Sequence, residues 1–386
     1  MLQVIAAIFI VIFFIPYTAS GFAACGKLFS SLFGVKYLTA MIISAIVIVA
    51  YTTLGGFLAA STTDFIQSII MSVALIVVLI FGVETAGGIG AVIHNASELP
   101  GYLSMTLSYD VNTGKAAPYS ALTIVSTAAW GLGYFGMPHI LLRFMAIEDE
   151  KKLKLSRRVA TIWVVISLFV AVFIGVIGYT MSKVGALEML TGSNSETIIV
   201  KISALLSQHG VIFALLAGVI LAGILASTMS TSDSQLLAAS SAVSSDILGA
   251  FRKDSSNKNG SMAAARITLL VISVVAAFIA RNPDSSVFAI VSFAWAGFGA
   301  AFGPVVLFSL FWKRTNKWGA LAGMVCGGSM VFIWKYLIRP LGGIWNIYEL
   351  LPAFLIACAA IVIVSLLTPK PSKEIEEEFD RVAQMK

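Results

Sequence analysis

The sequence predicts an all-α polytopic membrane protein with about ten transmembrane helices. Of the 386 residues, 59% are hydrophobic and only 11% are charged, whereas soluble domains carry about 25% charged residues. The apolar residues also form runs of about 20 residues, the length that an α-helix needs to cross a bilayer. The formal net charge of +6 comes from basic residues in short loops, so it does not indicate nucleic-acid binding.

Apolar runs of spanning length follow one another along the chain. They lie near residues 1–24, 37–60, 65–86, 119–146, 159–181, 210–242, 267–281, 286–312, 319–337 and 347–368. Together they predict a transmembrane core over residues 1–368 and a charged tail over 369–386, either a solvated helix or disordered. A short amphipathic helix is expected at 195–206, on the outer surface.

The loops after the fourth, sixth and eighth runs are rich in lysine and arginine. Such loops remain on the cytoplasmic side of a membrane. Alternation of the spans then places both termini in the cytoplasm. We therefore expect a multi-pass protein of the cell membrane, in contact with the lipid bilayer.

A glycine-rich break interrupts the fourth run, at WGLGYFGMPHILLR (130–143). Glycine and proline release backbone groups that lipid cannot satisfy, so such a break must be covered by protein or by a wet cavity. Trp130, Tyr134 and Pro138 follow at intervals of four, which would place them on one helical face. This pattern favours a cavity wall, and an interfacial aromatic belt is the alternative.

Hydroxyl side chains share one predicted face of the sixth run. Ser227, Ser230, Thr231 and Ser234 stand at i, i+3, i+4 and i+7, and Gly223 extends the face. Hydroxyl and carbonyl oxygens bind hard cations such as sodium. Small residues also let membrane helices pack closely, and the spacing does not decide between the two.

Three further polar residues lie in or next to apolar runs. Asp64 could cap a third helix together with Gln67, or it could serve a cation path, since ionisable residues at membrane depth are costly. Arg143 is expected to extend toward the interface or to contact phospholipid. Tyr17 is either a core tyrosine with a satisfied hydroxyl or part of a cavity.

The sequence shows no residue pattern typical of a metal site, a disulfide framework or a catalytic centre. The three cysteines and three histidines show neither metal-ligand nor disulfide spacing. A nucleophile–base pair or a phosphate-binding loop is also not apparent. We therefore expect a protein that is not an enzyme.

Five segments resemble the sodium/solute symporter family. They are YTTLGGFLAASTTDFIQ (51–67), WGLGYFGMPHILLRFMAI (130–147), ILASTMSTSDSQLL (224–237), SFAWAGFGAAFGPVVLFS (292–309) and WKRTNKWGALAGM (312–324). The resemblance implies a leucine-transporter-type fold of two inverted repeats. It also implies a substrate site at the midplane and sodium as the coupling ion, with L-proline as the expected solute.

The resemblance assigns roles to individual residues. Tyr17, Trp130, Tyr134 and Pro138 match substrate-lining positions. The hydroxyls of Ser230 and Thr231 and the backbone carbonyl of Ser227 match sodium ligands of the family. Asp64 matches an aspartate on the sodium path to the cytoplasm.

Members of this family carry additional helices before the position matched by residue 1. Three such helices are expected to be missing, including the first broken helix, which supplies the other half of the sodium site. Sodium-coupled proline uptake is therefore the main hypothesis. The alternatives are a sodium symporter for another small organic solute and a truncated membrane protein that does not transport.

Overall fold

The computed structural model describes residues 1–251 and 258–384, apart from the side chains of 55–60, 250, 251 and 258–262. The α-helices are α1 (Leu2–Phe33), α2 (Tyr37–Thr85), α3 (Ile89–Ser97), α4 (Ala121–Ala128), α5 (Pro138–Met145), α6 (Leu153–Lys183), α7 (Ile198–Leu206), α8 (Val211–Ser241), α9 (Leu248–Phe251), α10 (Lys258–Ile279), α11 (Val287–Phe311), α12 (Lys317–Ile333), α13 (Leu350–Leu367) and α14 (Lys373–Gln384). The two strands are β1 (Leu107–Asp110) and β2 (Lys115–Pro118).

The predicted α-helical membrane architecture is confirmed. Within the described part of the chain, 8 helical segments are long and apolar enough to cross a membrane. The shorter apolar helix Ala263–Ile279 and the interrupted segment α4–α5 account for the remaining predicted runs. The tail forms helix α14, and α7 lies within the range predicted for the short helix.

Two predicted spans belong to the single element α2. Its parts Tyr37–Leu54 and Ser61–Thr85 each qualify as a span, so the predicted interruption between them is absent from the helix assignment. Both parts contact α8. Tyr51 reaches Asp233 of α8, while Ala74 lies against Gly223, where an added Cβ would be 3.1 Å away. Helix α8 therefore packs against both spans.

A small β-hairpin was missed by the all-α prediction. Strands β1 and β2 pair antiparallel, with Leu107 opposite Pro118. At the turn, Asp110 accepts hydrogen bonds from the Asn112 amide (2.9 Å) and the Thr113 hydroxyl (2.8 Å), and Gly114 has a φ of 66°. These turn contacts support a hairpin in the segment between the third and fourth spans.

The core around the interrupted segment is built by α1, α8 and α11. Phe13, Phe14 and Phe298 are fully buried there, and the Phe14 and Phe298 rings lie 4.4 Å apart. An added Cβ on Gly297 would come within 2.1 Å of the Phe13 ring. The small residues of α11 therefore permit a close crossing with α1.

The predicted break lies between α4 and α5. Residues Ala129–Gly136 form a 3-10 helix, Met137 is extended, and Pro138 begins α5. A 3-10 helix has three residues per turn, so residues four apart no longer align on one face. The predicted break is therefore present, but the prediction that Trp130, Tyr134 and Pro138 share one helical face is wrong.

Candidate ion and substrate site

The predicted sodium oxygens lie together on α8. The Ser230 Oγ and Thr231 Oγ1 hydroxyls each donate to the backbone carbonyl of Ser227, both over 3.1 Å. Two hydroxyl oxygens and one carbonyl oxygen are thus clustered on adjacent turns of a half-buried helix face. Oxygens of this kind are suited to a hard monovalent cation.

Ser234 and Gly223 extend the predicted face in different ways. Ser234 Oγ accepts a hydrogen bond from Arg143 (3.0 Å) rather than joining the cluster at Ser227. Gly223 permits the close approach of α2, because an added Cβ would be 3.1 Å from the Ala74 Cβ. The face thus combines polar oxygens with a close helix contact.

Asp64 is paired with Arg143, and two expectations about these residues are wrong. The element α2 continues through Asp64, and the buried Gln67 Oε1 has no hydrogen-bond partner, so the two do not form a capping box. Arg143 binds polar side chains of α2 and α8 and does not simply extend toward the interface. Its guanidinium donates to Asp64 Oδ2, to Ser61 Oγ (2.9 Å) and to Ser234 Oγ (3.0 Å).

Trp130 lies within an aromatic cluster. Its ring is stacked with those of Phe288 (5.4 Å), Trp295 (5.3 Å) and Tyr348 (6.0 Å). The Trp295 indole N–H donates to the Trp130 carbonyl over 2.9 Å, which satisfies one backbone oxygen of the irregular segment. Tyr134 contacts the edge of the same Trp295 ring, with centroids 4.8 Å apart.

Tyr17 and Pro138 lie next to a different residue, His139. The Tyr17 and His139 rings meet edge-on with centroids 6.0 Å apart, and Pro138 precedes His139 in α5. Each pair of predicted substrate positions thus shares a neighbour, and Tyr17 and Tyr134 are also close enough to interact electrostatically. Trp295 joins Trp130 to Tyr134, and His139 joins Tyr17 to Pro138.

A cavity of about 440 Å³ lies between α5 and α8. His139, Arg143 and Ser234 contribute its polar groups, and Leu142 and Leu237 belong to its apolar wall. The cavity thus borders both the Tyr17–Pro138 group and the Asp64–Arg143 pair.

The sequence patterns did not single out two buried polar residues of α8, Asp233 and Gln235. Asp233 is 0% exposed and accepts a hydrogen bond from the Tyr51 hydroxyl over 3.0 Å. The fully buried Gln235 accepts one from Thr18 over 3.4 Å. Asp233 stands within the serine-rich motif of α8, and an ionisable residue inside a span is itself a functional signal.

Comparison with known proteins identifies the family. Residues 1–327 match the family model described as Sodium:solute symporter family. The chain belongs to the sodium:solute symporter family. Both the α8 oxygen cluster and the break before α5 fall within the matched residues, and the resemblance read from the five motifs is confirmed.

Characterised relatives align with nearly the whole chain. The osmoregulated proline transporter OpuE of Bacillus subtilis is 38% identical over 97% of this chain and 72% of its own length. The sodium/proline symporter of Salmonella typhimurium is 38% identical over 98% of this chain and 72% of its own. The sodium/proline symporter of Haemophilus influenzae is 39% identical over 99% of this chain and 74% of its own length. The relatives are thus membrane transporters.

A solved structure confirms the fold class. It shows a Na+-coupled sialic acid symporter in a substrate-bound outward-open state, with a TM-score of 0.71 and 17% identity. The match covers 96% of this chain and 76% of that protein. At this identity the likeness concerns the fold, so the roles of single residues are argued from the contacts described above.

Proposed function

We propose that this protein is a secondary active transporter that couples inward sodium movement to the uptake of L-proline. The observation that carries the proposal is the near-full-length similarity to proline transporters at 38–39% identity. That similarity spans both the α8 oxygen cluster and the interrupted segment before α5.

Sodium would bind at the α8 oxygen cluster. The Ser227 carbonyl and the Ser230 and Thr231 hydroxyls would replace part of the ion's hydration shell. Two of these ligands now donate to the third, so a bound ion would turn their oxygen lone pairs toward itself. Asp64 would provide a negative charge on the path from this site to the cytoplasm.

L-Proline would bind beside the interrupted segment. Tyr17, Trp130, Tyr134 and Pro138 supply aromatic and ring surfaces for the apolar pyrrolidine. The irregular backbone between Ala129 and Met137 offers N–H and C=O groups to a zwitterion, as at other broken membrane helices. Because the same segment leads into α5 and Arg143, solute and ion would act on one connected element.

The proposal includes further N-terminal helices, supplied in the same polypeptide or in a separate chain. The relatives are longer than this chain, which covers 72–74% of their length. A cavity of about 180 Å³, lined by Ala74, Gly223 and Ser227, lies beside the ion cluster. A broken helix packed there would complete the sodium coordination.

The proposed orientation places both termini of this chain in the cytoplasm of a cell membrane. The basic loops after α5 and α11 then face inward, following the positive-inside rule, while the third predicted basic loop, after the sixth run, includes 252–257, which lie outside the described residues. One sodium ion entering with its charge gains about 2.3 kcal/mol per 100 mV. This energy supports a roughly 50-fold accumulation of solute before any sodium gradient is added.

Uptake of labelled L-proline into membrane vesicles tests the proposal, with the protein expressed from the full reading frame that contains this chain. An inward sodium gradient should drive accumulation, and an equal potassium gradient should not. Unlabelled L-proline should compete better than a panel of other amino acids and small organic solutes. Sodium-driven uptake of another solute would replace proline as the substrate, and the absence of all sodium-driven uptake would contradict transport.

A further inference from the structure

Tyr348 connects the loop between α12 and α13 to the aromatic cluster around Trp130. Its ring is stacked with that of Trp130, with centroids 6.0 Å apart and the planes 15° apart. The Tyr348 hydroxyl donates to the Ser292 carbonyl of α11 over 2.5 Å. The Tyr348 backbone N–H donates to the Ser126 hydroxyl of α4, also over 2.5 Å. One residue thus holds both helices that flank the cluster.

We infer that Tyr348 is a positioning residue that fixes the Trp130 ring for the binding of L-proline. The inference rests on the proposed function, because it names a residue that acts on the proposed solute site. Tyr348 belongs to the segment before α13, which supplies none of the solute positions proposed above. Its effect would therefore reach the solute through the ring against which it is stacked.

Trp130 needs support from outside its own segment because its backbone is irregular. It lies near the start of the 3-10 helix Ala129–Gly136, and 3-10 hydrogen bonds have poorer geometry than α-helical ones. The Trp295 indole holds the Trp130 carbonyl over 2.9 Å. Ser126 lies in α4, four residues before Trp130, so its hydrogen bond with Tyr348 fixes the helical turn that leads into the 3-10 part. Tyr348 therefore constrains both the ring of Trp130 and the chain that carries it.

A buried ion cluster holds Tyr348 in turn. Glu349, the next residue, is 1% exposed and accepts a hydrogen bond from Arg339 over 2.8 Å. The Lys335 ammonium lies 3.8 Å from the other carboxylate oxygen of Glu349 and 4.2 Å from the centre of the Phe293 ring in α11. A buried carboxylate is costly unless cations are paired with it. The pairing therefore restricts the conformations that are open to the Tyr348–Glu349 segment.

Two substitutions at Tyr348 separate the ring from the hydroxyl. Tyr348→Leu removes the stacking on Trp130 and the hydrogen bond to Ser292, whereas Tyr348→Phe removes only the hydrogen bond. The measurement is sodium-driven uptake of labelled L-proline into vesicles, with the protein expressed from its full reading frame. Tyr348→Leu should raise the KM about tenfold and leave the maximal rate within about twofold, since it weakens binding of the solute and not the later steps. Tyr348→Phe should stay within about twofold of the wild-type KM.

Tyr336→Leu is the matched control for the loss of an aromatic ring. Tyr336 follows α12, and its ring centroid lies 6.5 Å from that of Phe332 and 6.1 Å from that of Phe293. It makes no ring contact with Trp130 in the described part of the chain. Tyr336→Leu therefore removes aromatic packing of the same kind and should leave the KM for L-proline unchanged.

A double variant tests whether Tyr348 acts through Trp130. In Trp130→Leu/Tyr348→Leu there is no ring left to position, so the second change should add nothing to the KM of Trp130→Leu alone. Where Tyr348→Leu fails to fold, the milder Ser126→Ala carries the test and should raise the KM about threefold. Its control is Thr127→Ala, which removes a hydroxyl of the same helix that contacts Tyr119 and the Thr123 carbonyl instead.

The outcomes separate this inference from the proposed function. If the wild type accumulates L-proline but Tyr348→Leu has an unchanged KM, Tyr348 only packs, and the inference is wrong while sodium-coupled uptake stands. A KM that rises equally in Tyr348→Leu and Tyr336→Leu also contradicts the inference. Where another solute is transported, its KM takes the place of that of L-proline. If the wild type shows no sodium-driven uptake, the proposed function fails, and this inference fails with it.

Discussion

The two ends of the interrupted segment differ in how they are held. The 3-10 part, Ala129–Gly136, packs closely against α11 at Gly133 and Gly136, and its Trp130 ring is stacked among three other aromatic rings. By contrast, α5 has no fully buried residue. It is attached by the polar contacts of Arg143 and by the ring of His139 against Tyr17, and it borders a cavity of about 440 Å³. The first part is therefore suited to a fixed scaffold and α5 to a moving element.

The close packing of the 3-10 part gives the largest expected effect. An added Cβ on Gly136 would lie 2.3 Å from the Phe298 carbonyl oxygen and 2.7 Å from the Gly303 nitrogen. Because both obstacles are backbone atoms, Gly136→Ala should destabilise the fold by about 3 kcal/mol or more.

Gly131→Ala is the matched control, since nothing lies within 4 Å of the Cβ that it adds. Thermal unfolding of the two variants, followed by size-exclusion chromatography, checks the prediction. Equal stability of the two variants would show that the 3-10 part is not a rigid scaffold.

The aromatic cluster gives the next effect, because Trp130 has both a packing role and a proposed substrate role. Because Trp130 is only partly buried, Trp130→Ala should cost about 2–3 kcal/mol, while Trp130→Phe should keep most of the stacking. If Trp130 also contacts the solute, the Phe variant should raise the KM for L-proline with only a small change in unfolding temperature. An unchanged KM in that variant would confine Trp130 to packing.

A smaller loss of stability is expected from a substitution at Glu196, where the turn before α7 meets α1 and α11. Glu196 pairs with Lys27 (2.7 Å) and accepts hydrogen bonds from the Ser286 hydroxyl (2.8 Å) and the Val287 amide (3.3 Å). Partial burial acts to raise the pKa of Glu196, but these hydrogen bonds outweigh burial, so the pKa is lowered. A lowered folded-state pKa means that the contribution is complete at neutral pH and is lost as the pH falls through it.

Glu196→Gln should therefore lower stability by about 1 kcal/mol at neutral pH and by less in acid. Glu188→Gln is the control, since Glu188 pairs with Lys201 over 2.7 Å but is far more exposed. Unfolding temperatures measured from neutral to acidic pH test the sign. A Glu196→Gln deficit that grows in acid would contradict the assigned contacts.

Sequence patterns predicted the parts that depend on composition and local spacing. The apolar runs, the break at Pro138 and the clustered oxygens of Ser227, Ser230 and Thr231 all follow from length, backbone chemistry or helical periodicity. The prediction that Trp130 and Tyr134 share one helical face was wrong, because the segment forms a 3-10 helix. The hairpin near Asp110 was not predicted.

Polar contacts between residues far apart in the chain could not be predicted from the sequence. The partners of Arg143 are separated from it by 79 to 91 positions in the chain, and a lone arginine at the end of an apolar run more often extends toward the interface. The burial of Asp233 beside Tyr51, 182 positions away, likewise depends on how the helices pack.

The oxygens of α8 form the proposed sodium site. Thr231→Ala removes one proposed ligand, whereas Thr228→Ala removes a hydroxyl of the same helix that donates only to the nearby Ile224 carbonyl over 3.0 Å. The deciding measurement is the sodium concentration that half-activates L-proline uptake in these two variants. We predict an increase of about tenfold for Thr231→Ala and little change for Thr228→Ala, and an equal sodium dependence in both would contradict the site.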